Sequence, residues 1–73
     1  MKENDFIEML IDLMDTEDVV TIDSVLDDLE DWDSLSYVAF LARCSKEAKS
    51  HIEPKEVREA KTVRDLYELI NRQ

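Results

Sequence analysis

Apolar residues recur at steps of three and four along three stretches of this chain. From Asn4 to Asp15, the residues Phe6, Ile7, Leu10, Ile11, Leu13 and Met14 draw one stripe on a helix, with Met9 off to its side. Leu35, Val38, Ala39, Leu41 and Ala42 draw a second stripe, continued by Ala48, and predict a helix that opens at Asp33-Ser34-Leu35. Arg43, Lys46 and Lys49 are placed for its outer face and last turns, where basic side chains suit the helix dipole. Val63, Leu66, Tyr67, Leu69 and Ile70 form the last stripe. It begins at Thr62-Val63-Arg64-Asp65, a capping box in which Asp takes the place of the usual Glu or Gln.

The intervals between the stripes follow other rules. Thr16 to Asp33 mixes acids and turn-formers with Val19, Val20, Ile22, Val25, Leu26 and Leu29, too irregularly for a long helix. The expectation is a long loop pinned to the core, with one short helical turn; such a loop in a small domain is usually functional. His51-Ile52-Glu53-Pro54 breaks the second helix, since the residue before proline avoids helical angles while proline itself suits a first turn. A short third helix, Pro54 to Ala60, is expected next. No segment alternates apolar and polar residues long enough for a strand. The predicted architecture is all-α: a four-helix bundle of three longer helices and one short one, in a single domain spanning 1–73 with no repeat or linker.

Composition narrows what such a bundle does. Seventy-three residues, 44% of them hydrophobic, suffice for one small core. Glycine is wholly absent, which excludes every glycine-rich phosphate loop and argues against a nucleotide-binding enzyme. The net charge of −10 is unevenly placed: residues 1–33 hold thirteen acids against Lys2 alone, while residues 34–73 carry a net +2. That field repels nucleic acid and anionic membrane and favours encounter with basic-faced proteins, although most of the acids taken singly serve as a solvated surface. Cys44 is the only cysteine, so no intrachain disulfide forms, which suits a reducing compartment. With no signal-like start and no apolar run longer than Tyr37 to Ala42, the expected location is the cytoplasm, without membrane insertion.

The candidate chemistry centres on Ser34. A serine at a helix start is exposed, and the unpaired N–H groups and positive dipole end there favour a phosphate ester. The simpler reading stands beside it: Asp33 or Ser34 caps the helix and does nothing else. Asp23, Asp27, Asp28, Glu30, Asp31 and Asp33 do not make a calcium loop. A twelve-residue loop from Asp23 would put Val25 at the third position and Ser34 where the bidentate glutamate belongs. Cys44 reads as a small buried apolar group and His51 as a loop residue without a catalytic role.

Four features in order resemble the acyl carrier protein family, which includes the peptidyl and D-alanyl carrier proteins. They are the amphipathic first helix, the acidic loop with Ile22-Asp23-Ser24-Val25-Leu26-Asp27-Asp28-Leu29, Asp33-Ser34-Leu35 opening helix two, and Ile52-Glu53-Pro54 leading to Lys61-Thr62-Val63-Arg64-Asp65-Leu66. The resemblance covers nearly the whole chain. It implies a four-helix bundle of the acyl carrier protein type with 4′-phosphopantetheine on Ser34, transferred from coenzyme A by a separate, magnesium-dependent phosphopantetheinyl transferase. The thiol of that arm would hold acyl or aminoacyl groups as thioesters. The chain would then be a monomeric carrier and not an enzyme, with no catalytic residue and no metal site of its own. Its partners would be the transferase and acyl-loading and acyl-using enzymes with basic surfaces. Partner-contact candidates are Asp33, Leu35, Asp27, Asp28, Asp31, Phe40 and Val57.

Two departures from the family pattern shape these expectations. The usual Leu-Gly-x-Asp-Ser-Leu is replaced by Leu29-Glu30-Asp31-Trp32-Asp33-Ser34-Leu35, one residue longer and without the glycine. Trp32 is expected to anchor the lengthened loop on the core more than to touch a partner. After the serine, helix two lacks the acids typical of fatty-acid carriers, and the acidic surface moves into the preceding loop. This points to a standalone carrier for a specialised polyketide, peptide, fatty-acid or glycan-modifying pathway. The alternative from another class is an unmodified, small acidic helical interaction module.

Overall fold

The computed structural model describes residues 1–48 and 51–72. Its elements are α1 (Glu3–Met14), a single 3-10 turn (Leu26–Asp28), α2 (Ser34–Glu47), α3 (Pro54–Glu59) and α4 (Val63–Asn71). The described residues contain four helices and no strand; the one extended pairing is an isolated bridge between Val25 and Thr62. The expected all-α bundle of three longer helices and a short one is what forms. Lys49, assigned to the end of the second helix, lies outside the described residues.

Each helix end has a local cause. Asp15 closes α1 in the left-handed region at φ 52°, the only positive φ among the described residues, and its N–H reaches the carbonyls of Asp12 and Ile11. In a chain without glycine, aspartate is one of the few residues that tolerate this conformation. Pro54 sits in the first turn of α3, where Glu56 Oε2 accepts the N–H of the N-cap Glu53 at 3.0 Å and the Glu56 N–H donates to the Glu53 carbonyl at 3.0 Å. Thr62 opens α4 as expected: its Oγ1 accepts the Asp65 N–H at 3.2 Å, and Asp65 Oδ2 accepts the N–H of Thr62 at 3.1 Å and of Lys61 at 2.9 Å. These backbone donors hold the Asp65 carboxyl below its ordinary pKa.

The core is one cluster. Phe6, Leu10, Phe40, Val57, Val63 and Leu66 are fully buried at its centre, and Met9, Met14, Val20, Leu26, Leu29, Cys44, Ile52 and Ile70 surround them. Edge-to-face ring contacts run from Trp32 to Phe40 (6.0 Å), Phe40 to Phe6 (6.1 Å) and Phe6 to Tyr67 (5.3 Å), joining the loop, α2, α1 and α4. Tyr37 Oη donates to the Pro54 carbonyl at 3.1 Å and ties α2 to α3.

One helix turns a different face inward from the expected one. The sequence stripe reads Leu35 and Val38 first as core, with Leu35 also a partner-contact candidate, and they are 81% and 60% exposed. The buried face of α2 runs through Ser36, Phe40 and Cys44, with Tyr37 and Leu41 packed beside it. Two apolar stripes compete on this helix. The one holding Phe40 and Tyr37 wins, with Leu41 shared between the two, because the larger side chains remove more apolar area from water.

Candidate functional site

The site is built where the acidic loop meets α2. The loop is held from two sides. Toward α4, Leu26 N–H donates to the Lys61 carbonyl (2.9 Å), Val63 N–H to Ser24 (3.0 Å) and Arg64 N–H to Ile22 (2.8 Å), while the Arg64 guanidinium meets Asp23 at 2.9 Å. Toward α2, Trp32 N–H closes a turn on the Leu29 carbonyl at 3.0 Å, and the half-buried Trp32 ring packs on Phe40. Ser36, buried at the start of the helix, donates its hydroxyl to the Asp31 carbonyl at 2.6 Å. This segment needs no positive φ, so the missing glycine imposes no strain on it. Trp32 occupies the anchoring position expected of it.

Asp33 is the N-cap of α2. Its side chain accepts the Ser36 N–H at 3.1 Å, and its carbonyl accepts the Tyr37 N–H at 2.9 Å. The question of which residue caps the helix is thereby resolved: Ser34 is the first helical residue, exposed, and its hydroxyl takes part in no hydrogen bond among the described residues. The backbone N–H groups of Ser34 and Leu35 likewise meet no protein acceptor among the described residues. At the start of α4, by contrast, Ser24, Ile22 and Thr62 consume the three corresponding donors. The two helix starts share the same backbone chemistry, but only that of α2 is open to an external anion.

The other candidates divide by burial. Leu35, a partner-contact candidate, stands exposed next to Ser34, and Val38, one turn on, is exposed as well. Asp27 and Asp28 are exposed on the 3-10 turn, and Asp31 is half-buried. Phe40 and Val57 are corrected: at 0% and 1% exposure both belong to the core, Phe40 against the rings of Phe6 and Trp32 and Val57 within the same buried cluster, and neither offers a partner any surface. Ser36 was missed in the sequence because its partner is a loop carbonyl that no local pattern marks.

Among the described residues no base hydrogen-bonds the Ser34 hydroxyl. Asp33 is engaged in capping, and α2 extends about 20 Å from Ser34 toward its far end. His51 follows that far end and is tied through its carbonyl to Arg72, 2.7 Å away. Cys44 is buried, and desolvation, with Glu47 nearby, pushes its thiol up to about 11, so the thiolate is scarce at neutral pH. Among the described residues no three acids, histidines or cysteines cluster as a metal site, and no helix is long and apolar enough to cross a membrane. Compared with family models, with curated proteins and with solved structures, the chain matches none.

Proposed function

We propose that the chain is a discrete acyl carrier of the acyl carrier protein type, in which Ser34 bears a 4′-phosphopantetheine arm. The observation that carries this reading is the division of labour at the start of α2: Asp33 caps the helix, and Ser34 is left exposed with an unengaged hydroxyl. The free N–H groups of Ser34 and Leu35 and the helix dipole suit a phosphodiester at this position. When attached, the arm supplies a terminal thiol for thioester formation.

The chain's own residues would hold and present the arm. Asp33 fixes the helix start and places a carboxylate beside the ester, which suits a magnesium-dependent transferase because a cation can stand between the two negative groups. Leu35 and Val38 offer apolar contact next to the attachment point, and Asp27, Asp28 and Asp31 lend the loop a field that steers basic partners. Without a base at Ser34, catalysis belongs to the partner enzymes. The cytoplasm, where coenzyme A and the transferase would meet the chain, is the proposed location.

The same exposed Leu35 and Val38 also suit an unmodified interaction module. Incubation with coenzyme A, magnesium and a broad-specificity phosphopantetheinyl transferase separates the two readings, since only a carrier gains mass in a manner that depends on Ser34.

A further inference from the structure

The segment between α1 and the 3-10 turn holds two apolar side chains away from the core on a pinned backbone. Val20, Leu26 and Leu29 are buried, whereas the adjacent Val19 and Val25 are 84% and 43% exposed. The turn between them is closed by Thr21 N–H on Ser24 Oγ (2.9 Å) and Ser24 N–H on the Thr21 carbonyl (3.1 Å). Val25 is further fixed by its bridge to Thr62. The two valines thus stand outward on an ordered frame.

They line a shallow surface hollow with Leu29, rimmed by Asp18, Asp28 and Glu30. Among the described residues the ion pairs are Arg43–Glu47, Lys55–Glu59, Arg64–Asp23 and Arg72–Glu56, so none neutralises this rim. The described acids do not cluster as a metal site either. Exposed aliphatic surface inside an uncompensated acidic rim is complementary to an apolar side chain flanked by cations. We propose that Val19, Val25, Asp18, Asp28 and Glu30 form a docking face for a partner protein, taking a segment in which lysine or arginine side chains flank an aliphatic or aromatic one. Apart from Asp28, whose charge also serves the field around Ser34, the face is separate from the attachment site and functions whether or not Ser34 is modified.

The test uses the full isotope-labelled chain and two synthetic amphipathic peptides of equal positive charge, one alternating lysine with leucine and the other lysine with serine, followed by amide chemical shifts. The lysine–leucine peptide is expected to bind the tighter of the two, with shifts concentrated on residues 17–30. Val19→Ser with Val25→Ser should weaken it about tenfold, the value of one partly buried aliphatic contact, and leave the lysine–serine peptide unchanged. Should the double variant lose its native spectrum, Val19→Ser alone is read instead, because that side chain makes little contact with the fold. Equal affinity of the two peptides, shifts confined to α2 around Leu35, or insensitivity to the valine substitutions would each overturn the proposal.

Discussion

The Asp33 carboxylate accepts the Ser36 N–H at 3.1 Å, and this bond relieves Ser34 of any part in capping its own helix. Replacing Asp33 separates the structural from the functional use of that carboxylate. Asparagine caps as well as aspartate, so Asp33→Asn should keep stability within about 0.5 kcal/mol of the parent, while Asp33→Ala should lose about 1 kcal/mol. On the carrier account both variants are modified at Ser34 more slowly than the parent, because both lack the charge. Thermal melts paired with transferase kcat/KM values read the two effects apart; full activity in Asp33→Asn would reduce Asp33 to a cap.

How far the sequence revealed this arrangement depends on whether the controlling contacts are local. The capping box of Thr62 and Asp65, the proline start of α3 and the apolar face of α4 are local patterns, and they form as read. On α2 the periodicity is ambiguous: Leu35, Val38, Ala39, Leu41 and Ala42 make as regular a stripe as Tyr37, Phe40, Leu41 and Cys44, and side-chain size decides between them. Phe40 and Val57 were placed near partners for the same reason, since spacing alone does not assign a face. The clasp of Ser24, Ile22 and Leu26 on α4 joins residues far apart in sequence, where no periodicity reports it. At the site, an exposed Ser34 followed from the motif, but its freedom from capping needed the Asp33 and Ser36 geometry.

The Ser36 hydroxyl, buried and 2.6 Å from the Asp31 carbonyl, fastens the loop to α2. Ser36→Ala leaves that carbonyl short of a partner and should cost about 1–2 kcal/mol, or roughly 4–16 °C in a domain of this size. Because the loop leads directly into Ser34, modification should also slow. Denaturant melts and amide exchange of residues 29–33 check the first effect, and transferase kinetics the second.

Asp15 holds φ 52° at the end of α1, with no cation in that helix's last turn. Asp15→Gly removes the Cβ conflict and one negative charge from the negative end of the dipole. The expected gain is about 0.5–1 kcal/mol after the greater unfolded-state freedom of glycine is discounted, read as a higher Tm with unchanged modification of Ser34.

Arg72 meets Glu56 at 2.6 and 3.1 Å and, helped by the Glu53 N–H, draws that carboxyl from 4.5 down to about 2. A carboxylate with a depressed folded-state pKa stabilises the fold fully above its unfolded value, and that stabilisation is lost as pH falls through the folded value. Stability should therefore decline from about pH 4.5 toward pH 2. Glu56→Gln, which has no such proton to take up, should show a shallower decline over the same window. Parallel melting curves for parent and variant across that range would contradict the assignment.

The central claim rests on Ser34, and intact-protein mass spectrometry tests it most directly. The parent and Ser34→Ala are incubated with coenzyme A, magnesium and a broad-specificity phosphopantetheinyl transferase, and the parent is incubated again with the transferase of its native host. Ser34 is exposed and caps nothing, so the variant should fold with a Tm close to the parent's. The account predicts one phosphopantetheine adduct on the parent and none on the variant. A folded parent that gains no mass with either transferase, or a variant that gains the same mass, would contradict it.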